Sequence, residues 1–572
     1  MNNTINVKRF IFVIALFCLF TLYILSKLFY LQVIKSDYYK QEAIDQSQGT
    51  VKIDLPRCDL LDRNGILLAA SIEKPSLCVV KPKELKDIEG LSKRVAKLTG
   101  EKPYQISERL KSRKVFTWLA RKLQEDQIKE AEDIVSSFDG VSLIREWGRT
   151  YPKGVFASNL IGTVGVDGGL SGLEENWENR LSKGRKEYIV FRVGRKTRLY
   201  PLEAIDSIIP EPEKIKLTID EPTQYIVEKA LNEIEEQYNP LGTCAIVLSI
   251  PDGEILALGV RPTFDPNNPS ETPFSKWRNI AILDSYEPGS TFKAITLAAA
   301  IDAKIKRPYD EVLVTPLTIG NHTIKDDHPP HKNYYTLEEV LTYSSNCGAG
   351  RIGMAIPKQT FYEYIRKFGI GTVTALNFKG ESEGLIRKPE GIPKKVLPWS
   401  DLSAPSISFG QEVRTSPLQL ALAYATIANK GIKVIPKIEL GTKSSEGERV
   451  ISEETARVIT KMLVNVVDEG TGKSARIPYV QVAGKTGTAQ KLGKKLDPNR
   501  KGRIAYFVGF APAENPKIVT LVMVDDPIGQ FYGGAVSAPA FAQITSFALK
   551  RFGIEAKPYL GKSEIAMLLG GN

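Results

Sequence analysis

Residues 10–25 form an unbroken apolar run, preceded by Lys8 and Arg9 and resuming after Lys27 as LFYLQVI. With Lys27 snorkelling toward headgroups, about 20 to 25 helical residues would span a bilayer. Residues 26–31 are mostly bulky and no small-x-small cleavage site follows, which favours a retained anchor over a cleaved signal peptide. The basic tail predicts a cytoplasmic N-terminus, with the rest of the chain outside.

Beyond the anchor the pattern changes character twice. Residues 59–70 (DLLDRNGILLAA) predict strand, Asn-Gly turn and strand, whereas residues 104–138 read as amphipathic helices with few strand signals. The Pro- and Glu-rich stretch 209–214 (IPEPEK) marks a joint. After it, Asp220 caps a predicted helix whose apolar positions Ile226, Val227, Ala230, Leu231 and Ile234 recur at helical spacing. Hairpins are predicted for 243–250 with 254–260, and for 503–511 with 517–524, and a helix for 539–551. The class is therefore α+β, with a largely antiparallel sheet covered by helices in the second half.

Composition narrows this only slightly. Hydrophobic residues make up 42% and charged residues 25% of the 572, ordinary for a folded protein too long for one core. The net charge of +11 suits an anionic membrane or wall polymer and demands no nucleic-acid partner. Five scattered cysteines exclude a disulfide scaffold; Cys58 and Cys78 share one module, and their pairing stays open. His322, His328 and His331, with Asp326 and Asp327 among them, lack helical spacing and flank Pro329-Pro330, so a solvated loop is expected rather than a metal site. The basic residues Lys491, Lys494, Lys495, Arg500, Lys501 and Arg503 are read as a solvated face.

Three short motifs carry candidate chemistry. Ser290 follows Pro288-Gly289 at the start of a predicted helix, which places Lys293 one turn on and on the same face. A serine hydroxyl needs a base, and a lysine serves if burial and the positive end of a helix lower its pKa. About two such S-x-x-K tetrads are expected by chance in this length. Ser71 with Lys74 is a decoy, followed by Pro75 in a strand-and-turn stretch. Ser344-Ser345-Asn346 follows a helical stretch; Ser344 would relay a proton, and the Asn346 amide would orient Lys293 and bind a substrate amide. Lys485, Thr486, Gly487 and Thr488 lie on a predicted strand of small residues, suited to a peptide lying alongside and to a carboxylate. Cys347, beside Asn346, is expected to be a small packing residue.

In this order the motifs match the set of penicillin-binding proteins and class A β-lactamases, with Ser345 where the common form has Asp. The chain resembles class B penicillin-binding proteins, most nearly the cell-division type. Arg57, Asp62-Arg63-Asn64-Gly65, Arg149-x-Tyr151-Pro152-x-Gly154, Gly162, Asp167, Gly172 and Glu174 carry the resemblance, as do RNIAILDSYEPGSTFK, SFGQEVRTSPLQLA and residues 531–544. Cys58 replaces the usual Gly and Asn159 the usual His. The resemblance implies a cytoplasmic tail (1–9), transmembrane anchor (10–30), pedestal or dimerisation-type module (31–210), transpeptidase domain (211–555) and tail (556–572).

It also implies a mechanism. Ser290, deprotonated by Lys293, would attack the penultimate D-Ala carbonyl of a stem peptide; backbone N–H groups of Ser290 and Thr488 would form the oxyanion hole. An amine from a neighbouring stem would then take the acyl group, while Lys485, Thr486 and Thr488 hold the donor carboxylate. No metal or organic cofactor is implied. The implied partners are peptidoglycan stem peptides, penicillin and other β-lactams, a septal glycan polymerase of the FtsW type and other divisome membrane proteins. Elongation- or sporulation-type enzymes are the near alternatives; a β-lactam receptor or a β-lactamase is more remote. A bifunctional class A enzyme is disfavoured because the region before residue 211 has no glycosyltransferase-like acidic motif.

Overall fold

The computed structural model describes residues 7–80, 82–113, 116–165, 168–191, 211–391, 396–443, 446–491, 499–555 and 559. Asp167, Lys494, Lys495 and nearly all of the 556–572 tail lie outside these residues. Two compact units interleave along the chain. One comprises residues 1–57, 73–148 and 182–212; the other comprises 58–72, 149–181 and 213–572.

In the first unit, the helix Val7–Phe29 runs into a wider turn, Tyr30–Ile34. Its apolar side chains are exposed, and among the described residues it is the one helix long and apolar enough to cross a membrane. The strand Gln48–Asp54 pairs antiparallel with Arg185–Phe191. Helices Ile88–Thr99, Pro103–Ser112 and Glu125–Ser137 share a core with Leu77, Val79 and Leu119. Asp87 caps the first of these helices and Gly100, at φ +74°, ends it. One strand was not expected here. Phe116–Ala120 (FTWLA) pairs with the strand Leu67–Val80 and buries Thr117 and Leu119 on one side. FTWLA has no strict polar–apolar alternation, Trp118, Leu119 and Ala120 being consecutive apolar residues, so no strand period is written in it.

The second unit holds a five-stranded antiparallel sheet in the order Ala483–Gln490, Arg503–Ala511, Ile518–Asp525, Gly242–Ser249 and Ile255–Arg261. Both faces are covered. Helices Glu221–Tyr238 and Ala538–Arg551 pack over Ala245, Val247, Phe507 and Val522. The other face, with Ile246, Leu248, Val508 and Leu521, lies in the core shared with helix Pro417–Ala428, which is buried along its whole length. Burial on both faces explains why these strands read as nearly continuous apolar runs. As the sequence predicts, Asp220 caps Glu221–Tyr238, accepting the Thr223 N–H.

The family-like residues of the N-terminal half form a brace inside this unit. Arg149 and Glu174 are a buried pair, with Nε 2.6 Å from Oε1, and Arg149 also donates to the Cys58 carbonyl at 2.9 Å. The Asp62 carboxylate accepts the Asn64 and Ile66 N–H groups, with Gly65 between them at φ +96°. Asn64 reaches on to Asp220 at 3.1 Å, which ties this turn to the capped helix. Asn159 is buried and donates to the Lys276 carbonyl at 3.1 Å. Among the described residues no disulfide is formed, so Cys58 and Cys78 are not bonded to each other.

Candidate active site

Pro288 and Gly289 lead into a 3-10 turn, Gly289–Phe292, that continues as the helix Lys293–Asp302. The turn brings the Lys293 Nζ to 3.0 Å from the Ser290 hydroxyl. The decoy pair behaves differently: Ser71 and Lys74 both lie on the extended strand Leu67–Val80, and Lys74 donates to Gln124. Three residues apart on a strand, their side chains leave opposite faces.

Main chain holds the nucleophile turn on several sides. The Gly289 N–H donates to the Gly410 carbonyl at 3.3 Å, and a Cβ on Gly410 would lie 2.2 Å from the Gly289 oxygen. A Cβ on Gly487 would lie 2.7 Å from the Thr291 methyl and 3.0 Å from the Pro288 oxygen. Tyr424, fully buried, donates to the Thr291 carbonyl at 2.7 Å. The sequence reading assigns the small residues of the Ala483–Gln490 strand to a peptide lying alongside. Gly487 has a further use: its missing side chain lets the serine's turn approach the strand.

The helix Leu337–Thr342 ends at Tyr343, and Ser344 then takes a left-handed conformation, φ +60°. This bend costs a non-glycine residue about 1–2 kcal/mol and aims the Ser344 carbonyl at Lys293, 2.5 Å from Nζ. Ser345 caps the next helix, Asn346–Ala355, and the Asn346 Oδ1 lies 2.8 Å from the same Nζ. The Asn346 Nδ2 donates to the Lys325 carbonyl at 3.2 Å. The Ser344 hydroxyl sits between two lysines, 3.2 Å from Lys293 and 3.0 Å from Lys485. Lys485 donates also to Thr486 Oγ1 at 3.3 Å, and Thr486 in turn meets Thr471 at 2.7 Å.

Lys293 and Lys485 are both fully buried. Burial disfavours the ammonium form, which brings Lys293 down to about 8, against the smaller opposing effects of Asp326 and Asp327. Burial pushes Lys485 well down too, with Lys293 beside it adding to the effect. Two of the oxygens around the Lys293 Nζ, on Ser344 and Asn346, only accept hydrogen bonds, so they take two N–H bonds. A neutral Lys293 then has its one lone pair left for a hydroxyl, and Ser290 at 3.0 Å lies nearer than Ser344 at 3.2 Å. The arrangement can take a proton from Ser290.

Ser290, Thr486 and Thr488 line one cleft together with Asp326, Asp327, His328, Tyr343, Lys473 and Tyr532. The histidine-containing segment, expected as a solvated loop, therefore includes part of the cleft wall. Asp326 does more than line it: one oxygen accepts the Ser345 hydroxyl at 2.7 Å and the other the Cys347 N–H at 2.8 Å. Sequence reading missed this residue, and its only signal was an Asp-Asp pair ahead of the Ser-Ser-Asn motif. His331 bonds to the Tyr335 hydroxyl at 2.8 Å, and no group of His, Cys, Asp and Glu among the described residues is disposed to hold a metal ion. Cys347 is buried, its thiol pushed up to about 11 by burial and by Asp326.

Comparison with known proteins decides the family. Residues 243–546 match the penicillin binding protein transpeptidase domain and residues 52–202 the penicillin-binding protein dimerisation domain. The chain belongs to the class B penicillin-binding proteins. It is 33% identical to the peptidoglycan D,D-transpeptidase FtsI of Escherichia coli, over 93% of this chain and 90% of that one. It is also 33% identical to stage V sporulation protein D of Bacillus subtilis, over 97% and 88%. A peptidoglycan synthetase from Bifidobacterium adolescentis shares the fold, with a TM-score of 0.69 over 90% of this chain and 99% of the other at 22% identity. Penicillin binding protein 3 from Mycobacterium tuberculosis does so with a TM-score of 0.65, over 89% and 98% at 24% identity.

Proposed function

We propose that this penicillin-binding protein is a peptidoglycan D,D-transpeptidase that cross-links stem peptides through an acyl-enzyme on Ser290, and that it serves septal wall synthesis. The observation that carries the reading is the 3.0 Å approach of the buried Lys293 amine to the Ser290 hydroxyl. Lys293 takes the Ser290 proton as the oxygen attacks the penultimate D-Ala carbonyl. Asn346 orients Lys293, and Ser344 relays the proton to the departing D-Ala amine. Backbone N–H groups of Ser290 and Thr488 receive the developing oxyanion. Lys485, Thr486 and Thr488 hold the carboxylate of the donor or of a β-lactam, and Gly487 lets the serine's turn close against them. The apolar helix anchors the protein in the cytoplasmic membrane with the catalytic unit outside, where an FtsW-type polymerase and other division proteins are its partners.

A second setting, sporulation, is favoured by the match to the Bacillus protein, which equals the FtsI match in identity. Fluorescent penicillin is expected to label the protein in a long-lived adduct, and Ser290→Ala to abolish both labelling and septation. Rapid turnover of the adduct would make the protein a β-lactamase. Septation sustained by Ser290→Ala would leave a scaffold role, and a defect confined to spore formation would assign the sporulation setting.

A further inference from the structure

The second half of the proposed reaction needs an amine, and the cleft meets it with an unfavourable field. A primary amine such as a diamino-acid side chain has a pKa of about 10.4 and arrives as an ammonium. The Lys473 ammonium stands exposed on the cleft wall, whereas the buried Lys293 and Lys485 are driven toward neutrality. A cation entering beside Lys473 is repelled unless a carboxylate faces it.

Two carboxylates line the cleft, Asp326 and Asp327. Asp326 is occupied: its two oxygens accept from Ser345 and from the Cys347 backbone. Asp327 is exposed, and no ion pair or side-chain hydrogen bond is formed by it among the described residues. It remains close enough for its charge to oppose the deprotonation of both buried lysines. Neighbours in sequence thus have separate positions: Asp326 braces the Ser-Ser-Asn motif from behind, and Asp327 faces the open cleft with the nucleophile.

We propose that Asp327 docks the ammonium of the incoming acceptor stem, so that it governs acceptor capture more than attack on the donor. This rests on the reading of the cleft as a transpeptidase site. The docked ammonium gives up one proton to solvent; the amine so formed attacks the acyl carbon, making the C–N amide bond and breaking the C–Oγ bond, and the second nitrogen proton passes through Lys293 to Ser290 Oγ. The carboxylate holds the cation at the mouth, and the base beside Ser290 stays where it is. An exposed ion pair of this kind is worth up to about 1 kcal/mol, or about fivefold in apparent affinity.

The test compares two rates in the full-length protein: labelling of Ser290 by fluorescent penicillin, and transfer from a thioester stem-peptide analogue to a stem tripeptide with a free diamino-acid side chain. Measurement at pH 9 keeps the acceptor charged while Lys293 is largely neutral with or without Asp327. Asp327→Asn is expected to raise the acceptor's apparent KM about fivefold, with a smaller change in labelling, and Asp327→Glu to recover part of the loss. Hydrolysis of the acyl-enzyme should then gain over aminolysis. An equal fall in labelling and transfer would assign Asp327 to tuning the lysines and overturn the proposal, as would an unchanged KM. Absence of labelling in the unsubstituted protein would instead overturn the transpeptidase reading itself.

Discussion

The Asp326 carboxylate accepts the Ser345 hydroxyl at 2.7 Å, and through that bond it fixes the start of the helix on which Asn346 stands. Ser345 in turn accepts the Gly348 N–H at 3.0 Å, so cap and carboxylate act as one unit. Asp326→Ala removes both of its bonds to this segment. Labelling of Ser290 by penicillin is expected to slow by about tenfold, since a misplacement of about 1 Å can cost about a hundredfold and a partial loosening of Asn346 costs less. Measured second-order acylation rates, with circular dichroism as a check on folding, decide it; a rate within twofold would deny Asp326 a positioning role.

Acylation should rise with pH. Lys293 acts as a base only when neutral, and burial brings it to about 8, so the competent fraction falls about tenfold per pH unit below that value and levels off above it. The expected profile of the acylation rate ascends with unit slope to a midpoint near pH 8. A profile flat between pH 6 and 9 contradicts the assignment of Lys293 as base.

Gly487→Ala places a methyl 2.7 Å from the Thr291 methyl, closer than real side chains come, and at a tight 3.0 Å from the Pro288 oxygen. The turn carrying Ser290 must move away from the strand. Overpacking of this kind costs about 1–3 kcal/mol; thermal unfolding should shift down accordingly, and acylation should fall by more than the loss of folded protein explains. Wild-type acylation in a folded Gly487→Ala protein would show that the turn tolerates displacement.

Cys347 sits one residue beyond Asn346, yet its thiol is held near 11 and it donates to the Ile324 carbonyl at 3.4 Å. At pH 7.5 the thiolate fraction is below about one in a thousand, so iodoacetamide should leave Cys347 unmodified in the folded protein. Peptide mass spectrometry after a timed pulse reads this directly. Rapid alkylation would reopen Cys347 as a reactive group.

Much of this site could be read from the chain because its parts are local. The Pro-Gly approach to a helix, the spacing of Ser290 and Lys293, and the small residues around Lys485 are each written in a few consecutive positions. So were the Asp220 cap and both predicted hairpins of the sheet. What escaped depends on contacts between distant segments. Asp326 meets Ser345 across 19 residues, and nothing in the run Lys325-Asp326-Asp327-His328 says which carboxylate turns inward. The purpose of Gly410 is likewise invisible until Gly289, more than a hundred residues earlier, is seen against it. Phe116–Ala120 escaped for a simpler reason, its polar and apolar residues not alternating strictly.

The nucleophile turn is set between the Gly410 backbone, the Gly487 strand and the Tyr424 hydroxyl, while the cleft is lined further out by exposed side chains such as Lys473 and Tyr532. Reactivity and ligand choice are therefore inherited separately. Substitutions along the wall can alter which peptide or antibiotic is admitted without displacing the attacking oxygen, whereas a change at either glycine disturbs every ligand alike. Under drug selection, surviving variants should accumulate on the wall and spare the frame.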